Sequence, residues 1–270
     1  MGHRSTDGRV DDDRVLAVHR ALLADSQPDI VGRYRREQVW IGGGSFSPHR
    51  TLFVPPPPTR VEAAMTDLVA FSRRRDLSPL VHAAIFHAQL ETIHPFEDGN
   101  GRTGRVLVQS VLRERGVIEH ATVPVSASLL SGTDGYFAAL TACREGDVAP
   151  AVDQFAHAAL AATVNGNMLA ADIVAAREGW SQRIVARSGS GAWTLVGVLF
   201  AQPVINVEWA ARATGMSQRS VLRAVDALVD VGVLREVGSA RRNRTWQAPD
   251  VFAAIDAFAE RAERRTPATS

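Results

Sequence analysis

Lysine is absent from this 270-residue chain, so all 30 of its basic residues are arginine. On physical grounds that bias favours forked contacts to phosphate and carboxylate, although a GC-rich genome produces the same composition. Cysteine is almost absent too: Cys143 stands alone, which excludes an internal disulfide. No long uncharged apolar run is present. The longest charge-free stretch, residues 188–207, begins with Ser and Gly and holds Gln202, Pro203 and Asn206 near its end, leaving about half a membrane span. The opening MGHRSTDGRVDDDR lacks the apolar core of a secretory signal. These absences lead to the expectation of a cytoplasmic protein with no membrane partner. Charge of one sign is not in excess either, with 30 basic residues against 29 acidic ones. At 46% hydrophobic and 22% charged residues, the composition is that of a globular protein and excludes disorder, collagen and coiled coil.

The near-zero net charge hides an asymmetry. Residues 1–179 hold 18 Arg and 21 acids, net −3, while residues 180–270 hold 12 Arg and 8 acids, net +4. At roughly 100 to 200 residues per domain, the length accommodates two unequal domains. Apolar residues recur at helical spacing over residues 14–24, 61–74, 80–93, 102–116, 134–144 and 149–178, which predicts a mainly α first domain. Residues 34–58 differ in texture, with β-formers around QVWIGGG and then FVPPPP, and read as a surface hairpin. The small residues 188–191 read as a flexible joint. Beyond it, helices are expected over 193–201, 207–214 and 217–229, with Ser217 as an N-cap. Val221, Leu222, Val225, Leu228 and Val229 share the apolar face of the last of these. Two strands around a Gly-Ser-Ala-Arg-Arg tip and a helix over 251–264 follow, an order that resembles a winged helix-turn-helix. The expected division is an N-terminal helical segment 1–29, a catalytic domain 30–187 and a winged-helix domain 192–266.

The chemistry concentrates in residues 94–105, HPFEDGNGRTGR. Pro95 has no amide proton and stops the preceding helix, leaving His94 at its C-terminal mouth. Gly99, Asn100 and Gly101 then feed a helix whose first turn offers unpaired amides and a positive dipole end, a ready anion site. Arg102 and Arg105, three apart, share a face of that helix and can grip further phosphates. An acid in such a pocket repels phosphate unless a cation lies between them, so Asp98 reads as a magnesium ligand. A neutral His94 beside a bound triphosphate suits a general base. Phe96 reads as a core anchor of the loop, Glu97 as solvated, and His82 and His87 as packing or surface residues.

This stretch resembles the Fic family motif HxFx(D/E)GNGRxxR at every fixed position. The family is mostly helical and typically transfers AMP from ATP to a Ser, Thr or Tyr hydroxyl of a protein, releasing pyrophosphate. The resemblance implies a Fic-type helical bundle and ATP as co-substrate. It makes His94 the base, Asp98 the Mg²⁺ ligand, and Gly99, Asn100, Gly101, Arg102 and Arg105 the phosphate grip. It extends over roughly residues 30–180: QVWIGG and FVPPPP look like the family's β-hairpin flap, where a target segment docks by strand addition, and Tyr136 resembles a residue bordering the adenine. The related Doc-type kinases alter the glycine loop and transfer a phosphate, whereas GNGR is intact here. Other nucleotide donors and removal of AMP also occur on this scaffold. The family's inhibitory pattern (S/T)xxxE(G/N) is missing from the first thirty residues. TACREG, residues 141–146, matches its letters but lies within a bundle helix, so the expectation is an enzyme that is unrestrained or restrained by a separate inhibitory protein. For the C-terminal domain, Arg235, Arg241, Arg242 and Arg244 on the wing with Arg219 and Arg223 on the third helix make DNA an expected partner. Docking to a protein is the alternative. The competing reading of the whole chain is a DNA-binding regulator with a nucleotide-sensing Fic domain.

Overall fold

The computed structural model describes residues 9–42, 51–118, 133–187, 189–238 and 243–263. Two compact units divide the chain, residues 1–162 and 163–270.

In the first unit α1 (Asp12–Leu23) starts at Asp11, whose side chain accepts from the Arg14 amide at 2.9 Å. A single 3₁₀ turn precedes α2 (Val61–Ser72), followed by α3 (Pro79–Ile93) and α4 (Asn100–Glu114), then α5 (Thr133–Arg144). The centre of this bundle is α3. Ala83, Ala84, Phe86, His87, Ala88 and Leu90 are all buried, so this helix shows apolar residues on nearly every side rather than one stripe. By contrast, α4 buries one face, Thr103, Leu107, Val108 and Val111, against it. The two helices approach closely at Gly104, where an added Cβ would lie 3.0 Å from both His87 Nδ1 and Leu90 Cδ2.

The expected hairpin is represented among the described residues by one antiparallel bridge, Ile41 to Phe53, with Ile41 N–H donating to Phe53 O at 2.9 Å. Its tip, residues 43–50, lies outside the described residues. The N-terminal helix is not a separate segment, because Val10 and Val15 belong to the same buried cluster as Phe86 and Leu107.

Helix α6 (Ala149–Arg183) runs through the division between the units and is longer than the periodicity indicated. Phe155 and Ala158 join the first core, whereas Trp180 and Ile184 join the second. That is why the compact units part at 162/163 and not at residues 188–191, where the joint was expected. This helix is also long and apolar enough to cross a membrane by length and composition, a feature the charge-free-run criterion overlooked because Asp153 and Asp172 lie within the helix and shorten its uncharged run. Its two ends are nonetheless spent on protein cores.

The second unit continues with α7 (Gly191–Leu199), β1 (Val204–Asn206), α8 (Val207–Thr214), α9 (Gln218–Asp230), β2 (Arg235–Val237), β3 (Thr245–Gln247) and α10 (Pro249–Glu263). Strand β1, three residues long, is too short to announce itself by alternation. It nevertheless completes an antiparallel sheet of order β1-β3-β2, with Ile205 opposite Trp246. Asn206 caps α8 by accepting from Trp209 N–H at 2.8 Å, and Ser217 caps α9 from Ser220 N–H at 3.2 Å. On α9 the buried face is Val221, Ala224, Val225 and Leu228, while Leu222 and Val229 are each 37% exposed. Apolar type alone had placed the last two inside.

Trp246, fully buried beside Ile205 and Leu228, is among the largest side chains in this second core. Trp246→Ala is expected to lower stability by about 3–5 kcal/mol, read as a fall in the urea midpoint of the intact chain. An unchanged midpoint would show that the unit is not organised around it.

Candidate active site

The site begins where α3 stops. His94 takes a left-handed conformation, φ 49° and ψ 62°, while its amide still donates to Leu90 O at 2.8 Å. For a non-glycine residue this costs of order 1–3 kcal/mol and persists only if the surroundings enforce it. Arg35 does so. It is 2% exposed, and its guanidinium donates to His94 O at 2.8 Å, to Ile93 O at 3.4 Å, to Glu37 O at 3.0 Å and to Pro56 O. Its amide donates to Pro95 O at 2.9 Å. One side chain thereby ties the end of α3 to both limbs of the segment that carries the Ile41–Phe53 bridge.

The loop after His94 is held from below. Phe96 is fully buried and stacks on His19, with ring centroids 3.8 Å apart and planes 3° from parallel. His19 Nδ1 accepts from Gly32 N–H at 3.0 Å, which leaves Nε2 as the donor to Asp98 O at 3.1 Å. Asn100 closes the turn with its amide: Oδ1 accepts from Phe96 N–H and Nδ2 donates to Phe96 O, both at 2.9 Å. Its side chain is therefore committed to the loop, and its main chain begins α4. Gly99 precedes α4 at φ 79°, and a Cβ there would lie 2.7 Å from Leu23 Cδ1. Any other residue there would be strained at this φ and would have to push the Leu23 side chain aside.

Asp98 is half-exposed. Its carboxylate accepts from Gly99 N–H at 2.6 Å, from Arg102 Nη2 at 3.0 Å and from Gln27 Nε2 at 2.9 Å. Glu97 is exposed. Beside the loop opens a cavity of about 530 Å³ lined by Ile41, Phe53, Glu91, His94, Arg105 and Tyr136, among others, within the size range of small-molecule sites. Thr141, Arg144 and Glu145 of the TACREG sequence also border it, and Arg144 stacks over the Phe53 ring at 3.9 Å. A larger open groove of about 1060 Å³ beside α1 and α2 contains none of residues 94–105.

Burial pushes His94 down to about 4, partly offset by the Glu91 main chain, so the imidazole is neutral at pH 7. Its Nδ1 is buried, leaving Nε2 as the nitrogen that can reach the cavity. His87, fully buried, is likewise pushed down to about 4 and bonds the Tyr136 hydroxyl through Nε2 at 2.9 Å. His82 bonds Phe71 O and faces Arg115, a packing role. Among the described residues no group of three or more His, Cys, Asp or Glu is arranged to hold a metal.

The structure thus places His94, Gly101, Arg105 and Tyr136 around one cavity, with Asp98, Gly99 and Arg102 at the adjoining start of α4. Arg35, His19 and Glu91 were not singled out by sequence. Arg35 and His19 act on loop atoms 59 and 79 residues away, a relation no local pattern encodes.

Comparison with known proteins bears on this arrangement. Residues 9–112 match the Fic/DOC family. The chain is 34% identical over 141 residues to a protein adenylyltransferase Fic of Nematostella vectensis, a match covering 51% of this chain and 30% of that protein. It is 32% identical over 143 residues to protein adenylyltransferase fic-1 of Caenorhabditis elegans, covering 52% and 25%. The chain therefore spans a third or less of the curated relatives it matches. Among solved structures, a Fic family protein from Desulfovibrio desulfuricans G20 is 25% identical with a TM-score of 0.51, over 90% of this chain and 69% of that one. The Fic/DOC match starts at residue 9 and so takes in α1, consistent with His19 and Leu23 supporting the glycine loop.

Removing Arg35 strands several carbonyls at once. Arg35→Ala is expected to cost roughly 3 kcal/mol in chemical denaturation, and a loss below about 1 kcal/mol would contradict the tethering role.

Proposed function

We propose that this Fic/DOC protein is a protein adenylyltransferase, moving AMP from ATP to a Ser, Thr or Tyr hydroxyl of another protein with release of pyrophosphate. The observation that carries the reading is a half-buried, neutral His94 opening onto a cavity at the N-terminus of a glycine-led helix. In this reading Nε2 takes the hydroxyl proton as the hydroxyl oxygen bonds to the α-phosphorus. The bond from that phosphorus to the bridging oxygen breaks, and pyrophosphate leaves with the electron pair. The first-turn amides of α4, together with Arg102 and Arg105, bind the phosphates. Tyr136 borders the base. In the same reading a target segment docks along the hairpin that carries the Ile41–Phe53 bridge.

Mg²⁺ fits the donor set. The ion is usually held through one or two carboxylates with waters and substrate phosphates, and Asp98 is one half-exposed carboxylate at the edge of the phosphate site. Its exposed pair with Arg102 is weak enough to open, since such pairs contribute about 0–1 kcal/mol. When bound, the ion neutralises charge on the phosphates. An ATP-consuming reaction also accords with the expected cytoplasmic location.

Label position identifies the reaction. With ATP labelled on the α-phosphate the target protein gains label, and with γ-labelled ATP it does not; γ-transfer would make this a kinase of the Doc kind. His94→Ala should abolish transfer while leaving ATP affinity within about twofold. Arg102→Ala and Asp98→Ala should instead weaken ATP and Mg²⁺ binding in calorimetry. Full transfer by His94→Ala would sink the mechanism.

For the second unit a DNA-binding winged helix is part of the proposal, supported by the helix-strand-helix-turn-helix-strand-strand order and by Arg219 and Arg223 on the exposed face of α9. Arg244 counts less than its type suggested, because Glu236 holds it in a forked pair and it lies over Trp246. Arg241 and Arg242 lie outside the described residues. Duplex DNA should be retarded at low salt, and Arg219→Glu with Arg223→Glu should remove the shift. No shift for the unaltered protein leaves docking to a protein as the role of this unit.

A further inference from the structure

Glu91 is a buried carboxylate that the proposed chemistry leaves unused. It is 7% exposed, sits one turn before His94 on the same face of α3, and borders the cavity. Its Oε2 lies 3.8 Å from His94 Nδ1, and its Oε1 lies 4.0 Å from His87 Nε2. Neither Glu91 Oε1 nor His94 Nδ1 has a hydrogen-bond partner among the described residues. A buried ring nitrogen without a partner is expensive to leave so, and the oxygen of this carboxylate nearest to His94 Nδ1 is Oε2, while the unpartnered Oε1 faces His87. A small rotation of either side chain brings Oε2 and His94 Nδ1 within bonding distance.

The neighbours of the carboxylate come from three elements. On α3 they are His87 and His94, the former already spent on the Tyr136 hydroxyl. From α4 come the Arg105 guanidinium and Gly101, where an added Cβ would lie 3.6 Å from Glu91 Oε1 and 3.1 Å from Arg105 Nη1. From α5 comes Tyr136 itself, and across the cavity stand the apolar Ile41 and Phe53. Arg35 and Asp98 act on His94 from further off, in opposite senses.

We propose that Glu91 is a positioning residue for the base: its ionised carboxylate accepts the Nδ1–H of His94, fixes the tautomer that leaves Nε2 unprotonated, and balances the imidazolium formed when Nε2 takes the hydroxyl proton. The logic is that of a carboxylate orienting a catalytic histidine in other enzymes, here supplied from one turn away on the same helix. The inference rests on the AMP-transfer reading for its function but not for its geometry. Burial supports it, since Glu91 is pushed up to about 7 against the pull of Arg105. The sign follows. Below that pH Glu91 is protonated and cannot accept from Nδ1–H, so the anchored tautomer is lost; above it the carboxylate is ionised and the base is set. Transfer should therefore rise through neutral pH, although His94 alone titrates much lower.

The test is Glu91→Gln in the full chain, which keeps the side-chain shape and removes the charge. Histidine ring NMR of the ATP-free protein, with the His94 signal identified through His94→Gln, reads the pairing without reference to activity. In the unaltered protein His94 is expected as the Nδ1–H tautomer with a titration step near pH 7, and Glu91→Gln should remove that step. Transfer by Glu91→Gln should fall on the order of 10²-fold in kcat, with the KM for ATP changed less than about twofold and the acid limb moved to lower pH. An Nε2–H tautomer in the unaltered protein, or the same His94 titration in both proteins, overturns the proposal. The latter result means that the Glu91 main-chain carbonyl, untouched by the substitution, holds the ring. If the NMR step is present but the unaltered protein moves no AMP, the pairing stands and the adenylyltransferase reading fails. The two outcomes are thus separable.

Discussion

Arg35 binds the carbonyl oxygens that leave the end of α3 together with those of the two strand-like segments crossing it, and most of the site depends on this one set of bonds. A helix end exposes carbonyls that nothing within the helix can satisfy. Here Pro95 forces the end, His94 turns left-handed, and a buried guanidinium collects the stranded oxygens. The base is thereby fixed in the same network as the segment against which a target would lie. Beneath it, the His19 and Asn100 bonds to Asp98 O and to the Phe96 main chain set the loop between base and phosphate site. Strain at His94 is tolerable because the packing beneath it is dense.

The close approach of α3 and α4 is the second requirement. Gly104 lets the helices meet at His87 and Leu90, and Gly101 leaves room for Glu91 and Arg105 to share the cavity wall. Both glycines lie in a helix, where they cost backbone freedom. Their benefit is proximity: a cationic face for phosphates and a carboxylate beside the histidine, within one turn of each other. Charge that would be unfavourable in an ordinary core is acceptable because the site opens into a cavity.

Much of this was legible in residue types and spacing. Pro95 and the glycine loop define a helix stop and a helix start through local rules, and both lie where the rules put them. Helical periodicity located the bundle. It failed where tertiary context decided: Glu91 reads as an ordinary polar position on an amphipathic helix until α3 proves to be buried nearly all round. Arg35 lies in an aperiodic segment, and its partners are main-chain atoms that carry no sequence signal. Strand β1 was invisible at three residues. The division of the chain fell within α6 because Trp180, near the end of that helix, is captured by the second core, whereas small residues at 188–191 merely looked like a joint.

Intact-mass measurement after incubation with ATP and Mg²⁺, on the protein and on the proteins of a supplied lysate, tests the central claim most directly. The account predicts a gain of one AMP unit on a protein hydroxyl, absent when His94→Ala replaces the unaltered chain. A gain of one phosphate unit, or an AMP gain that survives the loss of His94, would contradict it.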